Sequence, residues 1–165
     1  MTFQPSALLA DYHDVTVFAC GTASLDEWLK RRALANQGSG ASRTYVVCDG
    51  AAVMGYFALA AGGISLPAAI GKFRRNMPDP IPVVILGRLA IDNRHQKRGL
   101  GRALFRDAAR RAAQAAEVIG IRGILVHAIS EGAKSFYSTI GFDPSPLDPM
   151  TLMVSLTDLR ELIAN

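Results

Sequence analysis

Hydrophobic residues recur along much of the chain at the spacing of an amphipathic helix, about 3.6 residues per turn. This spacing predicts helices from Ser24 to about Gly38, over 100–119, over 131–140 and from Asp158 onward. The long helix over 100–119 is expected to face the core through Leu100, Leu104, Ala108, Ala112 and Ala115. Gly141 is expected to end the helix over 131–140, because glycine is common just past a helix.

Shorter apolar runs between these helices predict strands at 44–48, 51–60, 83–91, 123–129 and 152–156. Asp49-Gly50 is typical of a hairpin turn between the first two strands. The proline-rich segment 67–82 is predicted to be a loop with one helical turn. The order of elements therefore predicts one mixed α/β domain over 1–165, in which 83–129 forms a right-handed βαβ unit.

Length and composition narrow the class of protein. The chain has 165 residues, half of them hydrophobic and 19% charged, which excludes a disordered tail protein. It has neither an apolar run of about 18 residues nor a signal-peptide layout, so a cytoplasmic protein is expected. Cys20 and Cys48 lie outside any CxxC or histidine cluster. We expect two reduced, buried thiols and neither a metal site nor a disulfide.

Positive charge is concentrated in one part of the chain. The net charge is only +4, but residues 72–111 contain eleven Lys and Arg against three acidic residues. A solvated helix face is the ordinary explanation of a charge run, whereas a block this unbalanced favours a polyanionic ligand. The sequence therefore predicts that a ligand carrying phosphates binds here.

A glycine-containing loop over 93–102, Asn-Arg-His-Gln-Lys-Arg-Gly-Leu-Gly-Arg, joins the central strand to the long helix. Gly99 and Gly101 allow the backbone to approach a ligand closely, and the unpaired amides that open a helix suit a pyrophosphate. Arg94, Lys97, Arg98 and Arg102 add positive charge. A P-loop is excluded because GK[ST] is absent, and GxGxxG is excluded because residue 104 is Leu. A chance glycine turn is the remaining alternative.

The segment Gln96–Gly101 resembles the pyrophosphate-binding signature Q/R-x-x-G-x-G/A of the GNAT acetyltransferases, and the order of elements agrees over essentially the whole chain. The resemblance implies a GNAT fold, in which a mixed central sheet with splayed central strands is flanked by helices. It also implies acetyl-CoA as the acetyl donor, and no metal. The implied cofactor contacts are Leu89, Ala90, Ile91, Gln96, Lys97, Arg98, Gly99, Leu100, Gly101, Arg102, Ser135 and Phe136.

The segment 130–142 resembles the second signature of that family, a helix with Phe-Tyr before a Gly-Phe turn. In the family this phenol points at the CoA sulfur, which implies that Tyr137 is the catalytic acid. A tyrosine suits the task because its ordinary pKa of about 10 keeps it protonated at neutral pH, ready to stabilise a leaving thiolate. The alternative is that Tyr137 packs the helix onto the sheet, a role that we assign to Phe136 instead.

No general base stands out in the sequence. His127 is expected in mid-strand, as a core or groove histidine with a general base as the alternative, whereas His95 and His13 are expected to be exposed. An α-amino acceptor, with a pKa of about 7.7–8.0, is partly neutral at pH 7, whereas a lysine near 10.4 would need more help. The missing base therefore favours an α-amine as the acceptor.

Four further blocks, 20–29, 85–92, 117–127 and 142–150, resemble the GNAT toxins of bacterial type II toxin–antitoxin pairs. This resemblance implies a toxin that acetylates the α-amino group of aminoacyl-tRNA and inhibits translation. It also implies an antitoxin with a ribbon-helix-helix part, through which alone DNA would be contacted, and a homodimer.

The residues agree with an RNA substrate, because basic clusters also lie outside the glycine loop. They are Lys30, Arg31, Arg32, Lys72, Arg74 and Arg75. Aromatic stacking platforms and sequence-reading motifs are absent, so we expect shape and charge to dominate tRNA binding. Three alternatives stay open: an ordinary GNAT acetyltransferase of a protein N-terminus or small amine, a non-catalytic acyl-CoA-binding regulator, and an inactive toxin.

Overall fold

The computed structural model describes residues 5–164 of the chain as strands and helices in alternation. The strands are β1 (Ala7–Leu8), β2 (Arg43–Asp49), β3 (Ala52–Ile64), β4 (Ile81–Ile91), β5 (Gly123–His127), β6 (Asp143–Pro144) and β7 (Thr151–Ser155). The helices are α1 (Ala23–Arg31), α2 (Ala33–Ser39), α3 (Gly71–Arg74), α4 (Leu100–Ala115), α5 (Glu131–Ile140) and α6 (Leu156–Ala164). Short 3₁₀ turns lie at Leu66–Ala68 and Asn93–His95.

In the described residues the strands form a mixed sheet of seven, in the order β1-β2-β3-β4-β5-β7-β6. The pairs β1–β2, β2–β3, β5–β7 and β6–β7 are antiparallel. β4 and β5 run parallel, with Val84 opposite Ile124 and Ile85 opposite Leu125. Because α4 separates this parallel pair in the chain, the strand–helix–strand order predicted from the sequence is confirmed, as is the mixed α/β class.

The described residues cluster into two compact units, one from 5–60 and 87–108 and the other from 61–86 and 109–164. Aromatic side chains organise the core of the first unit. Trp28 stacks on Tyr56 with ring centroids 6.0 Å apart, and Phe18 meets the edge of Tyr56 at 5.6 Å. The hydroxyl of Tyr56 donates to the carbonyl of Leu25 at 2.7 Å, so the polar end of this buried ring is satisfied.

The core of the second unit surrounds β5. It contains Ile64, Phe73, Ile81, Val83, Leu125 and Met153. Gly123 opens β5 so close to the carbonyl of Val154 and the ring of Phe73 that a Cβ atom would overlap both. The absence of a side chain at residue 123 therefore lets β5 pack at this spacing. That residues 1–165 form a single domain stays a prediction.

The helix predicted from Ser24 is divided at Arg32, where φ is −118°. α1 ends before this residue and α2 follows it, capped by Gly40 at φ +84°. The apolar spacing continues through the break, since Ala33 is fully buried, and so the pattern alone could not reveal it. α2 carries Gln37, whose side chain donates to the carbonyl of Leu9 at 2.9 Å and accepts from the amide of Thr44 at 3.0 Å.

Other boundaries differ from those predicted. α4 ends at Ala115 rather than Ile119, because the apolar side chains that suggested its extension are exposed, Val118 at 82%. β5 ends at His127, and β6 was not predicted, since two residues that include a proline leave no periodic pattern. α6 begins two residues earlier than predicted. These shifts leave the order of the predicted elements intact.

Candidate functional site

The loop that follows β4 is organised around the buried carboxylate of Asp92. This carboxylate accepts from the amide of Ala19 at 3.1 Å, from the amide of Arg94 at 2.9 Å and from Nε of Arg94 at 2.8 Å. Burial raises the pKa of Asp92, but the hydrogen bonds from Arg94 and Ala19 outweigh it and lower the pKa to about 2. A charged Asp92 therefore fixes the start of the loop.

The side chain of Gln96 fixes the middle of the loop. Its amide nitrogen donates to the carbonyls of Cys20 and Ile91, both at 2.9 Å, and to Oδ1 of Asn93 at 3.2 Å. Gln96 was predicted to bind the cofactor. Because its nitrogen is engaged by protein carbonyls, the contacts that the structure gives it hold the loop in place.

The last part of the loop turns sharply into α4. Lys97 and Gly99 have positive φ, +65° and +77°, and the carbonyl of Gly99 accepts from the amide of Ala103 at 3.2 Å. That bond opens the helix, so the amides of Leu100 and Gly101 precede the first amide that donates within it, that of Ala103. The remaining predicted cofactor residues of the first unit are the exposed Arg98 and Arg102, the half-buried Leu89 and Ile91, and the buried Ala90. A run of free amides with cationic side chains beside it suits a pyrophosphate.

Arg88 of β4 lies over the aromatic ring of Trp28, with its guanidinium carbon 4.2 Å from the ring centroid. Burial lowers the pKa of Arg88, yet an arginine remains protonated in the physiological range. Within residues 5–164 no carboxylate forms an ion pair with it. The sequence pattern marked Arg88 as an interruption of an apolar strand and did not reveal this stacking.

In the second unit, α5 carries Tyr137. Oγ of Ser130 caps the helix by accepting from the amide of Ala133 at 3.1 Å, and Gly141 ends it at φ +129°. Tyr137 is 8% exposed, with ring centroids 5.2 Å from Phe136 and 5.3 Å from Phe142. Burial raises the pKa of Tyr137 above its ordinary value of 10.0, so its phenol holds a proton throughout the physiological range.

The division of roles between Phe136 and Tyr137 differs from the prediction. Phe136 was expected to be the packing aromatic, but it is only half-buried, and Tyr137 is the buried one of the pair. The neighbouring Ser135 is exposed. Adjacent residues of a helix point about 100° apart, so one of the two rings must turn outward, and the sequence does not say which. Tyr137 therefore combines a packed ring with an ionisable hydroxyl.

The three histidines also lie differently from the prediction. His127 is not in mid-strand in the core: it is the last residue of β5 and is exposed, with Nδ1 3.0 Å from Oγ1 of Thr151. His13 and His95 are half-buried rather than exposed, and Nδ1 of His13 accepts from the amide of Ala10 at 2.9 Å. The apolar residues flanking His127 suggested a longer strand, which explains the error.

The six basic residues proposed for RNA are all exposed, in one cluster in each unit. In the first cluster Arg31 pairs with Glu27 at 2.7 Å. In the second, Nζ of Lys72 pairs with Asp158 at 2.8 Å. The main-chain carbonyl of Lys72 accepts from Nη2 of Arg122, also at 2.8 Å. Among the described residues Lys30, Arg32, Arg74 and Arg75 form no ion pair, so their charges are available to a ligand.

Other predicted features can be checked in the same residues. Cys20 and Cys48 are free and half-buried. Burial raises the pKa of the Cys20 thiol to about 11. The part of the chain that the structure describes contains no cluster of three side chains that could hold a metal. None of its helices is long and apolar enough to cross a membrane.

The two segments that carry this chemistry, the loop before α4 and the helix of Tyr137, fall within a match to a known family. The model of the acetyltransferase (GNAT) domain matches residues 40–144. The chain belongs to the GNAT acetyltransferase family. Membership confirms the fold and the acyltransferase class that the two signatures implied.

Similar proteins place the chain more narrowly among the GNAT acetyltransferases. A tRNA-acetylating toxin of Mycobacterium tuberculosis (strain ATCC 25618 / H37Rv) is 49% identical over 157 residues, which cover 95% of either chain. The structure of AtaT complexed with acetyl-methionyl-tRNAfMet is 28% identical, with a TM-score of 0.88 over 95% of this chain and 97% of that chain. A mutant AtaT toxin bound to the C-terminus of the antitoxin AtaR and acetyl-CoA is also 28% identical, with a TM-score of 0.81 over 97% and 98%.

We predict that Asp92→Asn destabilises this GNAT acetyltransferase by about 1–3 kcal/mol at pH 7, because the new amide group faces donors and leaves one of them unpaired. The folded-state pKa of Asp92 is lowered to about 2 from 3.8. The carboxylate therefore stabilises the fold above about pH 4, and this contribution is lost as the pH falls through about 2. Urea denaturation at pH 7, 5 and 3 should show the difference from wild type shrinking toward acid.

Asp11→Asn is the matched control, since it removes the same charge from an exposed residue of the first unit. Its free energy of unfolding should stay within about 0.5 kcal/mol of wild type at each pH. Equal stability of the two variants at pH 7 would contradict the role of Asp92.

Proposed function

We propose that this GNAT acetyltransferase is a toxin that transfers the acetyl group of acetyl-CoA to the α-amino group of aminoacyl-tRNA and so inhibits translation. The observation that carries the proposal is the 49% identity to a tRNA-acetylating toxin over 95% of both chains. A similarity that extends over 95% of both chains includes the regions outside the cofactor loop, where an acceptor would be chosen. The solved AtaT structure with an acetylated, charged tRNA adds support from a second relative.

The proposed cofactor site begins at the loop before α4. The amides of Leu100 and Gly101 would bind the pyrophosphate of acetyl-CoA, and Lys97, Arg98 and Arg102 would neutralise its charge. The main chain of β4 over residues 89–91 would hold the pantetheine arm, as the family resemblance implies. Asp92 and Gln96 support this site by fixing the loop. Ser135 and Phe136 stay proposed contacts from α5.

Tyr137 is the proposed catalytic acid. When bound, acetyl-CoA supplies a thioester whose sulfur leaves as a thiolate, and the phenol of Tyr137 would donate its proton to that sulfur. Burial raises the pKa of Tyr137, so the phenol is protonated at neutral pH before the reaction begins. The buried ring packs against Phe142, which limits the positions that the hydroxyl can take.

The tRNA would be bound through its phosphates. Arg74 and Arg75 at the end of α3 carry charges without an ion pair among the described residues, as do Lys30 and Arg32 in the first unit. Arg31 and Lys72 also belong to the proposed surface, and their acidic partners are exposed enough to be exchanged for phosphate. Binding of this kind depends on charge and shape, which suits a substrate recognised at its acceptor end.

The remaining parts of the proposal concern the organisation and the partners of the protein. Residues 1–165 would act as one GNAT domain, since the family match over 40–144 includes residues of both units. A ribbon-helix-helix antitoxin would neutralise the toxin and provide its only contact with DNA. The structure of AtaT with the C-terminus of AtaR supports an antitoxin of some kind. We also propose a homodimer, located in the cytoplasm where charged tRNA and acetyl-CoA are found.

The acceptor can be tested directly with labelled acetyl-CoA and a mixture of charged and deacylated tRNA. We expect label on the amino acid of the charged species, because only that species presents an α-amino group. Transfer to a protein N-terminus or to a polyamine, with none to aminoacyl-tRNA, would show an ordinary GNAT acetyltransferase. Binding of acetyl-CoA without any transfer would show a regulator or an inactive toxin.

In the same assay we expect Tyr137→Phe to lower kcat about 100- to 1000-fold, the usual effect of losing a donor that acts in the transition state. The fold should be kept, since no described residue hydrogen-bonds the hydroxyl and the ring is unchanged. Thermal unfolding and acetyl-CoA affinity should match wild type. Tyr12→Phe, at a tyrosine that is 71% exposed, is the control and should keep full activity. A Tyr137→Phe variant within threefold of wild type would refute the assignment.

The tRNA surface predicts a different kind of defect. Arg74→Ala combined with Arg75→Ala should raise the KM for charged tRNA and leave acetyl-CoA affinity unchanged, because both guanidinium groups lie outside the cofactor loop. The salt dependence of tRNA binding should also weaken, by a slope of about 1 for each phosphate that the protein no longer neutralises. Arg43→Ala combined with Arg160→Ala removes the same charge from exposed residues outside the surface. If both double variants raise KM equally, the effect is general charge and not this surface.

A further inference from the structure

The C-terminal end of β5 holds a chain of three polar side chains that the sequence did not reveal. Nδ1 of His127 lies 3.0 Å from Oγ1 of Thr151, and Oγ1 of Thr151 donates to Oδ2 of Asp148 at 2.9 Å. The strands fix this arrangement, because His127 pairs with Thr151 across the β5–β7 ladder. Asp148 is held in turn by the amide of Met150, which donates to Oδ1 at 3.0 Å.

The direction of the first hydrogen bond follows from the second. The amide of Met150 and the hydroxyl of Thr151 lower the pKa of Asp148, so this carboxylate is ionised at neutral pH and can only accept. The single hydroxyl proton of Thr151 therefore points to Asp148, and toward His127 the same oxygen can only accept. Neutral His127 must then carry its proton on Nδ1, which leaves Nε2 with a free lone pair.

The free nitrogen is open to a ligand. His127 is exposed, whereas Thr151 beneath it is only 7% exposed. The buried hydroxyl of Thr151 therefore holds the imidazole ring at Nδ1, and Nε2 faces outward. Among the described residues nothing hydrogen-bonds Nε2. Asp148, on the loop before β7, is the carboxylate that faces the ring, and the charge of Lys134 on α5 acts on the same carboxylate as His127 does. His127 lies four residues before the start of α5, the helix that carries Tyr137.

We propose that His127 is the general base of the acetyl transfer and that Thr151 and Asp148 are positioning residues that hold its Nε2 as the proton acceptor. The inference rests on the proposed function, since it names the group that deprotonates the acceptor amine. A carboxylate that orients a histidine is an established way to fix its tautomer, and the carboxylate in this case is the exposed Asp148. Here a threonine hydroxyl stands between the two.

Every proton of the reaction is accounted for when His127 is the base. Nε2 of His127 takes one proton from the ammonium of the acceptor, and the electron pair left on nitrogen forms the new C–N bond as the C–S bond breaks. Tyr137 gives its proton to the thiolate. The nitrogen loses its second proton after the attack, which restores the phenol of Tyr137, and His127 releases its proton to water. The imidazolium formed in between is stabilised by the charge of Asp148 through Thr151.

The pH dependence of kcat/KM separates a base from a structural histidine. His127→Gln should lower kcat/KM about 100-fold or more at pH 6.5, where most of the acceptor is protonated. The loss should shrink as the pH rises past the acceptor's own pKa of about 7.7–8.0, because the amine then needs no base. His13→Gln is the matched control and should follow wild type at every pH. A His127→Gln loss that is equal at pH 6.5 and pH 9 would overturn the proposal.

Asp148→Asn tests the positioning. The amide introduced at residue 148 can donate to Oγ1 of Thr151. The hydroxyl of Thr151 is then free to donate to Nδ1 of His127, and the proton of the imidazole ring moves to Nε2. Kinetics at pH 6.5 should then show most of the His127→Gln loss, whereas Asp143→Asn, an exposed residue of β6, should show none. Nitrogen NMR of the labelled histidine side chains should show the Nδ1–H tautomer in wild type and the Nε2–H tautomer in Asp148→Asn.

The NMR result does not depend on the substrate, so it separates the two proposals. An Nδ1–H tautomer in a protein that does not acetylate charged tRNA would reject the proposed function, and the pH profile would then be measured with the amine that is acetylated. An Nε2–H tautomer in the wild type would overturn the assignment of His127, whatever the acceptor.

Discussion

Asp92 carries a full negative charge at a buried position, and the donors that satisfy it come from the N-terminal segment and from the loop itself. A buried charge without partners would be strongly unfavourable, so these donors are held where the carboxylate needs them. The loop therefore leaves β4 along one path and enters α4 with its amides free. The proposed phosphate site of this GNAT acetyltransferase depends on that path.

The second unit places the proposed acid and the proposed base in different surroundings. Tyr137, the proposed acid, is buried among aromatic rings, where losing a proton is unfavourable, and so it stays protonated at neutral pH. His127 stands at the open end of β5, where its outer nitrogen can exchange protons with an acceptor and with water. Opposite environments for two groups of one unit are what acid–base chemistry at neutral pH requires.

Site residues could be predicted from the sequence where their arrangement depends only on neighbouring residues. The glycines and amides of the loop before α4, and the position of Tyr137 on a short helix, could be predicted because each depends on neighbouring residues. Asp148 and Thr151 could not be linked to His127, since β7 had first to pair with β5. The one local signal was the spacing of Asp148 and Thr151, in which a carboxylate three residues before a hydroxyl favours a turn with a side-chain hydrogen bond.

Burial was harder to predict than the order of elements. The helix through Arg32 was expected to continue because apolar residues keep their spacing across the break, and α4 was extended because Val118 and Ile119 are apolar. Only the second error comes from taking an apolar residue as a buried one, since Ala33 beyond the break is buried whereas Val118 and Ile119 are exposed. Phe136 and Tyr137 are both apolar enough to pack inward, and the one that does so, Tyr137, is the one that contacts Phe142.

The stacking of Arg88 on Trp28 gives the protein an internal optical reporter. Trp28 is its single tryptophan, so the indole emission comes from one place. A guanidinium 4.2 Å above the ring perturbs the excited state of the indole. An anion that draws Arg88 away from the ring will change the surroundings of the indole and therefore its emission. Binding of an anion at Arg88 can thus be followed by the fluorescence of Trp28 in the unlabelled protein.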